Sequence, residues 1–536
     1  MINPNGPEIS VDNDDLTASH LIPLWMAWLP VVALIAMLAV NVGFYADDAT
    51  FGANQVALLL AATIAAVVGL TLKVKIHTMI EGIKESLHSS LTALLILLLI
   101  GALVGTWVIS GIVPALIYYG LQILDARIFL AASVIVCAIV SLATGSSWST
   151  IGTVGVALMG IGQALGISPA ITAGAIISGA YFGDKISPLS DTTNLAAAMA
   201  GTELITHIRY LMYTTVPSIT ITLIVFLAIG FTATETVSVA QSEALQNNLA
   251  QRFNLTPLLF IVPVCVLVLV AFKVDAIAAL MVGTLLGGVF AVIFQPAVIR
   301  NVSEIEQTES RDDDWFNYAQ ASYVAVVNAM AFKVEAIPES ETTKWSDDLA
   351  AAKTAAEQGQ TGLEEEIFQL ESKLAAAKLT SGKGMNEMLS TIWLIICAMC
   401  FGGVMEACGL LRRITSALLS MANSLGSLVA TTAGSCIFLN LTASDQYLAI
   451  VVPGRMFRES FRERGFAPEN LSRTLEDSGT VTSVLIPWNT CGAAQRGVLG
   501  VDPFHYAIYC FFNWISPLMT LAFAFLQIKI ARLKPE

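Results

Sequence analysis

The sequence predicts an all-α polytopic membrane protein built from two inverted structural repeats, each with about five transmembrane helices, a re-entrant hairpin and a broken helix. Three observations predict this fold class. Of the 536 residues, 55% are hydrophobic and only 13% are charged, whereas an average soluble protein carries about 25% charged residues. Apolar runs of the roughly 20 residues needed to cross a bilayer recur along the chain. Short patterns of the first half also return in the second half.

The internal repeat is recognised by similar patterns at a nearly constant spacing. Gly105 matches Gly403, and Thr144 matches Thr442 at the same spacing. Upstream of these positions, the similar segments 56–63 and 277–284 lie much closer together in the chain. The change in spacing indicates a long insertion within the second half, between about Gln295 and Met388.

Charged residues give each half an orientation, because cytoplasmic loops of membrane proteins are enriched in Lys and Arg. The basic segments 73–88, 185–209 and 455–473 are therefore predicted to lie in the cytoplasm. Five crossings place the two ends of a half on opposite sides of the membrane, so the second half is inverted. The predicted regions are a cytoplasmic tail (1–22), a first repeat (23–231), a linker (232–255), a second repeat (256–295 and 387–530) and a soluble acidic insert outside the cytoplasm (296–386).

The insert carries much of the net charge of −14. Residues 300–385 contain sixteen acidic and eight basic side chains. Leu363, Ile367, Leu370 and Leu374 recur at helical spacing, which predicts one amphipathic helix. No basic patch favours nucleic-acid binding. We interpret the insert as a decoration without transport chemistry, with a regulatory domain as the alternative.

Four clusters of polar residues interrupt the apolar segments, at matching places in the two halves. Polar residues at membrane depth are costly and mark transport pathways, and broken helices are tolerated where their backbone lines a cavity. Hydroxyl, amide and carboxylate oxygens suit Na⁺, which is a hard cation. Asp191, Ser190 and Ser146 are the predicted Na⁺ ligands. The full set of predicted ion- or substrate-binding residues is Thr144, Ser146, Ser149, Asp184, Ser187, Ser190, Asp191, Thr192, Asn194, Thr442, Ser444, Asp445, Asp477, Asn489 and Thr490.

Carboxyl groups shielded from water can exchange a cation for a proton near neutral pH. Asp191 has no adjacent basic residue and is the favoured ion-binding acid. Asp184 precedes Lys185, so a local salt bridge is an alternative to an ion-binding role. Asp445 fits either an ion site or a helix cap, and Asp477 fits either an ion site or an interhelical hydrogen bond.

The stretch 178–194, SGAYFGDKISPLSDTTN, closely resembles the signature of NhaC-type Na⁺/H⁺ antiporters of the ion transporter superfamily. Segments 144–150 and 486–490 are similar to that family as well. The resemblance covers about residues 21–295 and 387–530. It implies a multi-pass secondary transporter of the cell inner membrane, in which a moving transport domain carries both hairpins. The insert departs from the family plan.

The favoured function is Na⁺/H⁺ antiport, with Na⁺ and H⁺ as the transported ions and no cofactor. The alternative is a Na⁺-coupled transporter or exchanger of a small organic solute, either an amino acid or a malate- or lactate-type carboxylate. A channel is disfavoured because repeats with broken helices suit alternating access. An enzyme is disfavoured because metalloprotease and serine-hydrolase motifs do not occur at membrane depth. The lipid bilayer is the expected partner, and a homodimer is left open.

The predicted topology can be tested by labelling from the two sides of the membrane. Cysteines are introduced at Ser340, in the insert, and at Ser460, in the basic segment 455–473, after accessible native cysteines have been replaced. An impermeant thiol reagent should label the two positions from opposite sides, because five crossings per half place them there. Labelling of both from one side would contradict the inverted arrangement.

Overall fold

The computed structural model describes an almost entirely helical chain. Eight of the described helices are long and apolar enough to cross a membrane, and ten spans result if two bent helix pairs are each counted as one. This confirms the predicted all-α polytopic class with broken helices. The described residues are 22–45, 49, 51–123, 125–233, 239–272, 274–303, 314–358, 360–420, 422 and 424–533. Apart from Ile22, the predicted cytoplasmic tail lies outside them.

The first half contains long apolar helices followed by a helical hairpin and a broken helix. α5 and α6 form the hairpin, and α7 and α8 form the broken helix. The elements are α1 (Leu24–Tyr45), α2 (Ala53–Thr71), α3 (Ile76–Ile109), α4 (Ile112–Ile123), α5 (Ala126–Thr144), α6 (Ser147–Thr150, the π-helical turn Ile151–Gly155 and Val156–Ala164), α7 (Pro169–Ile186), α8 (Asp191–Ala200) and α9 (Leu204–Ala233).

The linker between the halves is helical, and the second half then opens with two apolar helices. The linker helix meets the next apolar segment at a bend of 92°. The elements are α10 (Val239–Arg252), a 3₁₀ turn (Pro257–Phe260), α11 (Ile261–Ala271) and α12 (Ala276–Phe294).

The described residues of the predicted insert form four helices and a small two-stranded ribbon. The predicted amphipathic helix is present as α16, with Leu370 buried. The antiparallel ribbon pairs Val334 with Gly382, which adds a minor β element to the all-α class. The elements are α13 (Pro296–Ser303), α14 (Asp314–Ala331), β1 (Val334–Glu335), α15 (Glu339–Glu357), α16 (Glu364–Leu379) and β2 (Ser381–Gly382).

The remainder of the second half again consists of apolar helices, a hairpin and a broken helix. α19 and α20 form the hairpin, and α21 and α22 form the broken helix. The elements are a 3₁₀ turn (Met385–Met388), α17 (Leu389–Ala407), α18 (Leu410–Leu419), α19 (Leu425–Thr442), α20 (Gln446–Glu463), α21 (Pro468–Leu475, continued by the π-helical turn Glu476–Thr480), a 3₁₀ turn (Ser483–Leu485), α22 (Thr490–Leu499), the short turns Pro503–Tyr506 and Ala507–Tyr509, and α23 (Phe511–Phe525).

The boundaries of the helices recur between the halves at one constant spacing. The hairpins start at Ala126 and Leu425. The broken helices α7 and α21 start the same distance apart in the chain, and both have a proline in the first turn, because proline is favoured where the helix has no use for an N–H. The second pieces α8 and α22 keep this spacing as well. The recurrence supports the repeat, and the inverted orientation of the halves stays a prediction.

Part of the insert packs directly on the membrane helices. Gly105 in α3 leaves no room for a side chain, because the carbonyl group of Ala329 in α14 lies against it. The hydroxyl of Tyr318 donates to the carbonyl oxygen of Val292 in α12 at 2.6 Å. The linker helix also contacts the insert, since Asn248 donates to Ser372 of α16 at 2.9 Å. The insert is therefore joined to both halves, while its side of the membrane stays a prediction.

Lys383, just after β2, joins the insert to the broken helix of the second half. Its Nζ donates to the carbonyl oxygen of Gly497 in α22 at 3.0 Å. Burial lowers the pKa of Lys383 to about 8, although the negative charge of Glu387 acts in the opposite direction. The contact places a cation near the C-terminal end of α22, where the helix dipole favours positive charge.

The lowered pKa of Lys383 predicts a pH-dependent stability. Because the unfolded chain holds this proton more tightly than the folded protein, stability rises as the pH increases from about 8 towards the ordinary lysine value of 10.5. We expect the apparent melting temperature of the wild type in detergent to rise over this range relative to that of Lys383→Met.

A second lysine of the insert provides the control for this measurement. Lys333 is exposed, and its hydrogen bond with Glu335 raises its pKa. Lys333→Met still contains Lys383 and should therefore keep the rise in melting temperature that the wild type shows between pH 8 and 10.5. Equal slopes for the wild type and Lys383→Met would show that Lys383 does not titrate in this range.

Candidate functional site

One cavity lies where α12 begins at its N-cap Asp275, next to the starts of four helices of the hairpins and the broken helices. Their N-caps are Ser146 for α6, Ser190 for α8, Asp445 for α20 and Asn489 for α22. Each of these side chains accepts a hydrogen bond from a backbone N–H in the first turn of its helix. Ser, Asp and Asn are the residues that favour this role. The positive ends of four helix dipoles consequently lie close to the cavity.

The cavity has a volume of about 510 Å³ and is lined mainly by hydroxyl and carboxyl groups. α3 supplies Ser89, Ser90 and Thr92, which the sequence did not single out. They were missed because they lie within an uninterrupted helix and not at a break. Nine of the predicted binding residues also line it: Thr144, Ser146, Ser149, Asp184, Ser190, Asp191, Thr192, Asp445 and Thr490.

The other predicted binding residues are not among those that line the cavity. Two of their amides instead hold the broken backbone together. Asn489 donates to the backbone and side-chain oxygens of Asn440, both at 3.1 Å, and Asn194 donates to the carbonyl oxygens of Pro188 at 3.1 Å and Ser190 at 2.7 Å. Their part in binding stays a prediction. The residues in this group are Ser187, Asn194, Thr442, Ser444, Asp477 and Asn489.

The correspondence between the two hairpin tips differs by one residue from the predicted one. The constant spacing read from the sequence pairs Ser146 with Ser444, whereas in the structure Ser146 corresponds to Asp445, because both cap the second arm of a hairpin. Ser444 corresponds to Gly145, and both have a positive φ, 60° and 69°. The shift arises before the hairpin, since the spacing between the starts of α5 and α19 is one residue longer than that between the starts of α4 and α18.

Two of the cavity carboxylates already have hydrogen-bond donors. Asp184 is buried, and its Oδ2 accepts from the backbone N–H of Ser147 at 3.1 Å and from its hydroxyl at 2.7 Å. Asp445 accepts from the backbone N–H groups of Tyr447 at 2.8 Å and Leu448 at 3.0 Å. Both side chains thus stabilise the starts of the second hairpin arms, which agrees with the helix-cap alternative for Asp445.

Asp191 differs from these two acids. It is the first residue of α8, and its side chain is exposed to the cavity. Within the described part of the chain, no donor lies within hydrogen-bond distance of its carboxylate. The hydroxyls of Ser190 and Thr192 beside it are 3.1 Å apart. Among the described carboxylates that line the cavity, Asp191 is therefore the one without a hydrogen-bond donor, and its part in ion binding stays a prediction.

The alternative of a local salt bridge between Asp184 and Lys185 is wrong. Lys185 forms its ion pair with Asp477, and both side chains are fully buried. Lys185 also donates to the hydroxyl of Ser516 at 2.7 Å, while Thr214 and Thr520 donate to Asp477 at 3.0 and 2.6 Å. The local pair does not form because the side chain of Lys185 is directed towards α21, α9 and α23.

Glu476 was missed by sequence reasoning. It is fully buried in the π-helical turn after α21, and its Oε1 accepts a hydrogen bond from the hydroxyl of Thr192 at 3.2 Å. The available signal was two adjacent acids, Glu476 and Asp477, at membrane depth with a single basic residue, Arg473, in the preceding turn. Asp477 was predicted as a binding residue, whereas the adjacent Glu476 was not.

Comparison with known proteins agrees with the sequence signature. The profile of the Na⁺/H⁺ antiporter family matches residues 179–302 and 351–528. The Na⁺/H⁺ antiporter NhaC of Alkalihalophilus pseudofirmus is 36% identical over 427 residues, covering 80% of each chain. NhaC of Bacillus subtilis is 31% identical over 78% of this chain and 81% of its own. The malate-2H⁺/Na⁺-lactate antiporter of Bacillus subtilis is 30% identical over 76% of each chain. These matches confirm the resemblance: the chain belongs to the Na⁺/H⁺ antiporter family.

Proposed function

We propose that this protein exchanges Na⁺ for H⁺ across the cell inner membrane, and that Asp191 is the group at which the ions alternate. The observation that carries the proposal is the carboxylate of Asp191, which faces the cavity without a hydrogen-bond donor among the described residues. Asp184 and Asp445 line the same cavity but are occupied by backbone N–H groups. Asp191 can therefore bind a cation without giving up a structural contact.

Neutral oxygens of the same cavity complete the proposed set of Na⁺ ligands. The hydroxyl oxygen of Ser190 accepts one backbone N–H at 3.4 Å, and that of Ser146 accepts one at 3.2 Å. A hydroxyl oxygen has two lone pairs, so each can still face a cation. Oxygen ligands are those that hard cations prefer. We infer that Ser190 and Ser146 join Asp191 in binding Na⁺.

Binding at one carboxylate explains why the two ions exchange. The carboxylate of Asp191 holds either Na⁺ or a proton, so the arrival of one ion requires the departure of the other. Asp191 also lies in the first turn of α8, where the helix dipole offsets part of the cost of a negative charge away from bulk water. We infer that the hairpins and broken helices move together and open this site alternately to the two sides.

An organic solute remains the second candidate because the cavity is larger than one ion requires. Its volume of about 510 Å³ can hold a small solute, and one relative is named as a malate-2H⁺/Na⁺-lactate antiporter. Against a carboxylate solute, none of the described residues lining the cavity is Lys, Arg or His. Helix N-termini alone would have to bind a solute carboxylate, and this lack of a cationic side chain in the described wall favours the Na⁺/H⁺ function.

Replacing Asp191 tests the proposed site. Asp191→Asn keeps the size of the side chain but removes the charge and the exchangeable proton. Purified protein in liposomes, with the internal pH followed during Na⁺ pulses, should show proton movement reduced to the level of protein-free liposomes.

Asp275 provides a matched control in the same cavity. It is exposed at the cavity wall and caps α12 by accepting from the N–H of Ile277 at 2.9 Å, a role that Asn also fills. Asp275→Asn should keep Na⁺-driven proton movement. Retained movement in Asp191→Asn would instead assign the exchange to Asp184 or Asp445.

The same liposomes separate antiport from solute transport. A Na⁺ gradient alone should move protons through the wild-type protein, because Na⁺ and H⁺ compete at Asp191 without a third species. The internal pH is recorded with and without malate, lactate or an amino acid in the external buffer. A strict requirement for one of these solutes would establish the solute exchanger and reject simple antiport.

A further inference from the structure

Glu476 lies behind the cavity and is not accounted for by ion exchange at Asp191. It starts the π-helical turn Glu476–Thr480, and its side chain is fully buried. Such turns are rare and are often found at functional sites. At the spacing between the starts of α7 and α21, the corresponding position of the first half is Ile177, within the regular helix α7. The acid is therefore a feature of the second half only and is not required by the repeated fold.

The carboxyl group of Glu476 is only half satisfied. Its Oε1 accepts from the hydroxyl of Thr192 at 3.2 Å, while its Oε2 is buried and has no hydrogen-bond partner among the described residues. The hydroxyl of Ser478, in the same turn, is buried without a described partner as well. The hydroxyl of Thr480 acts on the carboxyl of Glu476 without reaching hydrogen-bond geometry. Buried polar atoms in native proteins are nearly always paired. Oε2 of Glu476 therefore has no donor among the described residues and can accept a proton.

The charged residues around Glu476 also indicate that its carboxyl group binds a proton. The adjacent Asp477 has Lys185 as its ion-pair partner. Among the described residues, no Lys, Arg or His nitrogen lies within 4.0 Å of the carboxylate of Glu476. Lys185 still acts on Glu476 from a greater distance, but the negative charge of Asp184 opposes it. An isolated buried carboxylate is far more costly than an unpaired neutral group. Glu476 is thus expected to carry a proton, or to face a cation, during part of its working cycle.

A chain of hydroxyl groups connects Glu476 with the cavity. Thr192 donates to Glu476, and its Oγ1 lies 3.1 Å from the Oγ of Ser190. Both Ser190 and Thr192 line the cavity on either side of Asp191. The hydroxyls can therefore pass a proton from cavity water to a carboxyl group that water itself does not reach.

We propose that Glu476 is a second proton-binding carboxyl of the exchange, reached from the cavity through Ser190 and Thr192. In the proton transfer, water gives a proton to Ser190, Ser190 gives its own to Thr192, and Thr192 gives its own to Oε1 of Glu476. Each hydroxyl gains one proton and loses one, so the net change is one O–H bond broken in the donating water, which leaves as hydroxide, and one O–H bond formed at Oε1 of Glu476.

This inference rests on the proposed function and adds a second proton to it. A Na⁺ ion at Asp191 lies next to Thr192, whose hydroxyl bonds to Glu476. The positive charge attracts the ionised form of Glu476 and expels its proton, and protonation of Glu476 weakens Na⁺ binding in return. Na⁺ binding should consequently release one proton from Asp191 and one from Glu476.

Counting the protons released on Na⁺ binding tests the proposal without relying on transport. Detergent-purified protein in weakly buffered solution is titrated with NaCl, with a pH indicator for released protons and calorimetry for bound Na⁺, across neutral and alkaline pH. Glu476→Gln should still bind Na⁺, but its maximum number of protons released per Na⁺ should be one lower than in the wild type.

Glu469 supplies the matched control, because it lies on the same helix and also has a buried oxygen without a described partner. Glu469→Gln should release as many protons as the wild type. An unchanged proton count in Glu476→Gln, or loss of its Na⁺ binding while it remains folded, would overturn the proposal. If Glu476→Gln does not fold, Glu476→Asp replaces it, and an unchanged pH dependence of proton release would overturn the proposal. Failure of the proposed function differs from these outcomes, since the wild type itself would then release no protons.

Discussion

The buried ion pair between Lys185 and Asp477 is the interaction on which the arrangement of the site depends. Removing two charges from water costs several kcal/mol per ion. The attraction between the two charges offsets this cost only when their remaining hydrogen bonds are also made. Ser516, Thr214 and Thr520 make those bonds here. Lys185 ends α7 just before its break, and Asp477 lies just after α21. The pair therefore fixes the broken helix of one half against that of the other.

Once this pair is formed, the remaining acids divide into two groups. Asp184 and Asp445 stabilise the starts of the second hairpin arms by accepting backbone hydrogen bonds. Asp191 and Glu476 have no such compensation, apart from one hydroxyl on Glu476. Some carboxyl groups are thus compensated by backbone hydrogen bonds, and others have no such bond. Under the proposed function, this difference confines cation binding in the cavity to Asp191, although Asp184 and Asp445 line it as well.

The sequence predicted those features that depend on local pattern. Apolar runs located the spans, and glycine, proline and hydroxyl residues located the breaks. Both features depend on residues that are close together in the sequence. The partner of Lys185 could not be predicted in this way, since Asp477 is 292 residues away while Asp184 is adjacent. Glu476 was missed for a related reason: its importance comes from contact with Thr192, on a helix of the other half. Sequence spacing also misplaced the second hairpin tip by one residue, because an extra residue precedes it.

The insert is connected to the same site through α22. The N-terminal end of this helix reaches the cavity at Thr490, and near its C-terminal end the carbonyl group of Gly497 accepts the hydrogen bond from Lys383. A helix of ten residues spans only about 15 Å. The insert is also packed on α3 at Gly105, and α3 contributes hydroxyls to the cavity. Any displacement of α22 during transport must therefore carry the insert with it or break this contact. The insert, which we interpret as a decoration without transport chemistry, is thereby mechanically linked to the proposed ion site.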